Sequence, residues 1–160
     1  MTVMGATNPE KKILVSACLY GGGPYRYDGR DKLCQDPRFR RWQEEGILIP
    51  VCPEVLGGLP VPRPPSERCG DRVVNSEGAD VTEAYRRGAA EVCRIAQEAG
   101  CRIAVLKAKS PACGNRQIYD GTFSRRLVPG MGVCAQALTN LGLRVFNETE
   151  LDLAEALIEG

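Results

Sequence analysis

The chain has 160 residues, with 21 Lys and Arg against 20 Asp and Glu, eight cysteines and no histidine. The near-neutral balance argues against any global attraction to nucleic acid or a membrane surface, and no apolar run approaches the ~20 residues that cross a bilayer. Without histidine there is no Ser-His-Asp triad, no Cys-His pair and no histidine-bearing zinc or iron site, so a metal must take thiolate or oxygen ligands.

Met1–Lys12 has no long apolar segment and reads as a flexible tail rather than a secretory signal. Residues 13–160 read as one domain. Ile13–Cys18 is short, apolar and ended by Gly21-Gly22-Gly23-Pro24, which predicts a buried strand. Asp36-Pro37 predicts an N-cap followed by proline in the first helical position, and a helix from Pro37 to Glu45 ended by Gly46. Ile47–Cys52 is the second strand. Pro53–Gly70 holds five prolines and predicts a long irregular loop of the kind that is functional or disordered. Val73-Val74 suits a small edge strand or hairpin arm.

Asp80 with Glu83 forms a capping-box pattern. Apolar positions from Ala84 to Ala99 then follow a helical period, and Gly100 closes that helix. Arg102–Leu106 is the third strand and Lys107–Gly114 the loop after it. Ile118–Leu127 suits a short hairpin around Asp120-Gly121. Met131–Leu141 predicts a helix stopped by Gly142, and Leu143–Phe146 a fourth strand. Asn147 with Glu150 opens a terminal helix through Leu157. Strands alternating with helices predict an α/β, three-layer Rossmann-like fold with a mainly parallel sheet and right-handed crossovers.

Three cysteines stand where apolar runs stop: Cys18, Cys52 and, a short loop beyond the third strand, Cys113. In an open parallel sheet the crevice beyond the carboxyl ends of the strands is where ligands bind. Thiolates delivered there from three strands suggest a soft-metal site with a coordination position left free; separate buried cysteines are the plain alternative. No Cys-x-x-Cys pair is present, so zinc-ribbon and ferredoxin spacings are absent. Cys93 and Cys101 read as core residues. Cys134 falls near a helix start, where the macrodipole favours a thiolate, although packing explains it as well. Cys34 and Cys69, in polar loops, suit a fourth ligand, a resolving thiol or ordinary partly packed cysteines. The expected compartment is the cytoplasm, where such thiols stay reduced.

The segments Val15–Gly21, Arg26–Gly29, Val51–Leu59, Pro62-Arg63, Lys109–Gly114 and Gly130–Val133 together resemble the thiouracil desulfidase family over nearly the whole chain, from about Ile13 to Leu157. The resemblance implies a [4Fe-4S] cluster held by Cys18, Cys52 and Cys113, and removal of sulfur from thiolated uracil as nucleobase or nucleotide. It also implies a carboxylate and a hydroxyl near the cluster, at Glu54 and Ser110. Cys134 departs from the family pattern, which has threonine after Gly-x-Gly-Val.

With three thiolates bound, an open iron suits a thiocarbonyl sulfur, and replacing C=S by C=O needs no net electron transfer. Glu54 is the expected general base, or else a solvated charge; Ser110 is an expected hydrogen-bond donor, or else a turn residue before Pro111. Arg26, Asp28 and Arg63 lie in the matched segments and, with Lys107, are the expected substrate-binding residues. Arg63 or Lys107 suits a phosphate, and each suits a surface ion pair equally. Gly21–Gly23 suits an anion cradle without the signature of a P-loop. Two other readings stand beside the desulfidase. One is a sulfur-transfer protein using the cluster or Cys134. The other is a zinc or redox-sensing module closed by Cys34 or Cys69. The expected partner is a small thiolated molecule, with no membrane and no strong nucleic-acid signal; a homodimer is left open.

Overall fold

Four short apolar runs form the centre of the molecule. The structure, a computed structural model, describes residues 12–159; apart from Lys12, the expected tail lies outside the described residues. The runs are β1 (Ile13–Ser16), β2 (Leu48–Val51), β5 (Ile103–Leu106) and β8 (Arg144–Asn147), paired in the order β2-β1-β5-β8. Every pairing is parallel, with Val15 opposite both Pro50 and Val105, and Ala104 opposite Val145. Successive side chains of a strand point to opposite faces. Leu14 accordingly packs with α4 (Thr82–Ala99) and α5 (Val133–Leu141), through Val92 and Leu138. Ile13 and Val15 pack instead with α2 (Pro37–Glu44) and α6 (Leu151–Glu159), through Phe39, Trp42 and Leu151. The result is the expected three-layer α/β arrangement.

The helix signals act much as the sequence suggests. Asp36 accepts the N–H of Arg38 at 2.9 Å, with Pro37 opening α2. Gly100 and Gly142 close α4 and α5 in the left-handed conformation. Glu150 accepts the N–H of Asn147 at 3.1 Å, the reaching-back half of a capping box. The expected Asp80–Glu83 capping box does not form: Asp80 accepts the N–H of Thr82 at 2.9 Å, but Val81 is the N-cap of α4 and makes no side-chain cap.

Two stretches differ from expectation. The first and second strands end early, at Ser16 and Val51, and the chain turns at once into α1 (Ala17–Tyr20) and α3 (Pro53–Leu56). The stretch 53–70 is not wholly irregular: it begins with α3 and ends with β3 (Ser66–Cys69), which pairs antiparallel with β4 (Arg72–Asn75). Proline at the first helical position is compatible with a helix, because its missing N–H would have no partner there. The hairpin around Asp120-Gly121 forms as β6 (Gln117–Tyr119) and β7 (Leu127–Pro129).

Candidate active site

Because β1, β2 and β5 are parallel, their carboxyl ends share one edge of the sheet. A cavity of about 600 Å³ lies beyond that edge. Cys18 on α1, Cys52 as the N-cap of α3 and Cys113 in the turn after β5 all line it. Glu54, Ser110, Arg26, Arg63 and Lys107 line it too, whereas Asp28 does not.

Local bonding explains how the sulfurs are held. The Ser110 hydroxyl accepts N–H groups from Ala112 at 3.1 Å and Cys113 at 3.0 Å, closing the turn that carries Cys113. The N-terminus of α5 seals this turn from behind: Gly132 donates to the Gly114 carbonyl at 2.8 Å, and Cys134 and Ala135 donate to that of Ala112. A Cβ on Gly132 would sit 2.4 Å from the Ala112 carbonyl carbon, so this approach requires glycine. On the other wall, Gly57 of α3 meets Gly88 of α4. A Cβ on Gly88 would lie 1.9 Å from the Pro53 carbonyl oxygen. That contact presses the helix bearing Glu54 against the helix bearing Tyr85.

Burial raises all three thiols, with the Glu54 charge as the next cause in each case: Cys18 to about 12, Cys52 to about 11, and Cys113 well above its ordinary value. As isolated groups they hold their protons; a bound cationic centre reverses that balance. The donor set fits an iron–sulfur cluster in its chemistry: soft sulfur ligands on separate elements around a roomy cavity. Among the described residues, no three His, Cys, Asp or Glu side chains gather tightly enough for a single metal ion. A cluster spreads its ligands over several irons and does not require such a cage.

Glu54 is the best-held carboxylate here, with its side chain 12% exposed. One oxygen lies 3.8 Å from the Cys52 sulfur, and the other lies 3.5 Å from the Tyr85 hydroxyl and 3.9 Å from the Arg63 guanidinium. Arg63 also donates to the Tyr25 carbonyl at 3.0 Å. Tyr85 is buried, and its hydroxyl is raised by that burial and by the Glu54 charge. Lys107 pairs with Glu148 at 2.7 Å, leaving it held at the cavity wall. Asp28 serves its own turn, accepting the Arg30 N–H and facing Arg26 at 3.7 Å.

Some residues escaped the sequence reading. Ser16 accepts the Lys107 N–H at 2.8 Å, and its hydroxyl lowers the Cys113 thiol against the larger effect of burial. Tyr85, Glu67, Phe123 and Arg125 also line the cavity. Only the identity of Ser16, a polar residue ending an apolar strand, carried a local signal. The alternative cysteine roles fare differently. Neither Cys34 nor Cys69 lines the cavity; Cys34 packs beside Phe39 and Trp42, and Cys69 is exposed on β3. Cys134 is buried behind the cavity wall, where desolvation pushes its thiol up and outweighs any help from the helix start. Gly21–Gly23 does not line the cavity either, and a Cβ on Gly23 would collide with the Asp31 carboxylate.

Comparison with known proteins places this geometry in context. A solved structure of a [4Fe-4S]-dependent thiouracil desulfidase, TudS, is similar over 92% of this chain and 97% of its own, with 44% identity and a TM-score of 0.88. YbbK, an uncharacterized protein of Bacillus subtilis (strain 168), is 39% identical over 150 residues, covering 88% of this chain and 97% of its own. The 2-thiouracil desulfurase family matches residues 13–150. The four strands of the sheet and the residues lining the cavity all fall within the matched stretch, and the chain belongs to the 2-thiouracil desulfurase family.

Proposed function

We propose that the protein is a [4Fe-4S]-dependent desulfidase that replaces the C=S group of a thiolated uracil, as nucleobase or nucleotide, by C=O. One observation carries the reading: Cys18, Cys52 and Cys113, from three strand ends, line the cavity that also holds Glu54. These cysteines are the residues to hold the cluster. When bound, it supplies a Lewis-acidic iron with affinity for sulfur.

The chain's own groups do the proton work. Glu54 takes a proton from the water that adds to the ring carbon. Arg63 and Tyr85 fix one of its oxygens, and the other faces the Cys52 side of the cavity. The Ser110 hydroxyl already accepts two N–H groups and keeps its own proton to donate to the substrate. Arg26 and Lys107 add positive charge beside the substrate. The sum is thiocarbonyl plus water to carbonyl plus hydrogen sulfide, with no electron transferred. No helix among the described residues is long and apolar enough to cross a membrane, and the reduced thiols suit work in the cytoplasm.

The test is anaerobic reconstitution with iron and sulfide, followed by incubation with 2-thiouracil, 4-thiouracil and their nucleotides. Expected are about four irons and four sulfides per chain, fading of the thiocarbonyl absorbance and release of sulfide. A reconstituted protein that leaves every thiolated pyrimidine intact overturns the reading. One tightly held zinc in place of iron points to the metal-site alternative.

A further inference from the structure

The cavity mouth is built from residues far apart in sequence. Of the large apolar side chains left exposed among the described residues, two are aromatic, Tyr27 at 38% and Phe123 at 39%, and both line this cavity. Phe123 lies in the 120–126 tip between β6 and β7 with φ of 58°, and Arg125 follows at 64°. Ordinary side chains rarely adopt this left-handed region, and they persist there only where the surroundings impose it.

Those surroundings are specific. Glu67 of β3 itself lines the cavity, and its carboxylate accepts the N–H groups of Gly121 and Phe123, each at 3.0 Å. Gly121 is packed on Cys69 so closely that a Cβ would sit 2.8 Å from the cysteine Cβ. One hairpin therefore clamps the tip of the other, and the clamp holds an aromatic ring at the cavity where no core packing calls for it.

We propose that Phe123 is a specificity-determining residue, the flat surface on which the heteroaromatic ring of the substrate stacks, and that Glu67 is the positioning residue that holds it there. Flat rings favour offset stacking on aromatic side chains, and a base keeps that attraction whatever its substituents. The inference rests on the desulfidase reading and adds what selects the ring.

The test compares the wild type with Phe123→Ala, Phe123→Trp, Glu67→Ala and Glu67→Gln, all loaded with iron and sulfide. The substrates are 2-thiouracil and 5,6-dihydro-2-thiouracil, whose saturated ring is puckered. Phe123→Ala should raise KM for 2-thiouracil about five- to a hundred-fold, the worth of one base–aromatic stack, with kcat and iron content unchanged. The dihydro compound should lose much less, and Phe123→Trp should restore the wild-type KM. Glu67→Ala should raise KM by a smaller factor, and Glu67→Gln, which keeps an acceptor oxygen, should restore it. An unchanged KM in Phe123→Ala, or equal losses for the two substrates, overturns the proposal. Calorimetry with 2-thiouracil separates this claim from the activity. A wild type that binds the ring and releases no sulfide overturns the desulfidase reading alone. Equal binding by wild type and Phe123→Ala overturns the stacking alone.

Discussion

The floor and the mouth of the cavity are built in opposite ways. The floor is the carboxyl edge of a parallel sheet, where β1, β2 and β5 end and deliver Cys18, Cys52 and Cys113. Its sulfurs are fixed by turns that close within a few residues, as Ser110 closes the turn at Cys113. The mouth is assembled from two antiparallel hairpins and the 21–36 loop, joined over long sequence distances, as Glu67 joins Gly121 and Phe123. With the proposed roles, the difference teaches that chemistry and recognition are separable in this molecule. The floor places reacting groups on buried, rigid backbone, while the mouth exposes aromatic and cationic side chains on segments that tolerate change.

The sharpest way to break the comparison is at the floor. Cys113→Ser should abolish iron incorporation and desulfidase activity, because a hydroxyl is a poor ligand for iron–sulfur chemistry. Cys93→Ser, on α4 and not among the residues lining the cavity, should retain both. Iron analysis and visible absorbance after anaerobic loading check this pair; similar losses in the two variants would erase the distinction between ligand and filler.

Next in size is Glu54→Gln. The amide keeps the shape and loses the basic oxygen, so kcat should fall about 10²- to 10⁴-fold. Iron content should stay at the wild-type level, since Glu54 is not among the proposed ligands. Single-turnover kinetics on fully loaded protein measure the loss.

Legibility in the sequence follows the same divide. The floor was readable because each strand is a short apolar run with a punctuating residue, and each cysteine follows such a run directly or after a short loop. The helices were readable wherever a cap or glycine marked an end, as at Asp36 and Gly100. Within 53–70 the prolines obscured α3, although Pro53 stands where a helix accepts proline. β3 reads Ser-Glu-Arg-Cys, with no apolar alternation; its strand conformation comes from pairing with β4. Glu67 and Phe123 are 56 residues apart, and Tyr85 reaches Glu54 only because α3 and α4 meet at two glycines. Contacts of that range leave no local pattern.

Gly88→Ala tests that last junction. Alanine favours a helix by about 1 kcal/mol over glycine. The new Cβ, however, would meet the Pro53 carbonyl oxygen at 1.9 Å, and a backbone atom cannot rotate away. Overpacking of this kind costs about 1–3 kcal/mol or more, so a net fall of a few degrees in Tm is expected. kcat should fall with it, because α3 carries Glu54 and has Cys52 as its N-cap. A variant that loses stability while keeping full activity would show that the pressed helices matter for folding and not for the site.

The smallest effect belongs to a residue bound to the β3–β4 hairpin, off the cavity lining. Asp80 accepts the Thr82 N–H and pairs with Arg72 at 2.8 Å. Hydrogen bonds from Thr82 and Arg72 lower its carboxyl to about 2, against about 3.9 for an unfolded aspartate. A depressed pKa stabilises the fold above the unfolded value, and that contribution is lost as pH falls through the folded one. Asp80→Asn keeps an acceptor for Thr82 and removes the charge. The variant should therefore be slightly less stable than wild type from pH 7 down to about 4, and the gap should close toward pH 2. Chemical denaturation at a series of pH values follows this, and salt should shrink the gap because the pair is exposed. At neutral pH the variant should load iron and turn over substrate as wild type does. A change in KM or kcat would mean that the turn opening α4 communicates with Tyr85 and Glu54, so that the cavity wall extends further along that helix than its lining residues indicate.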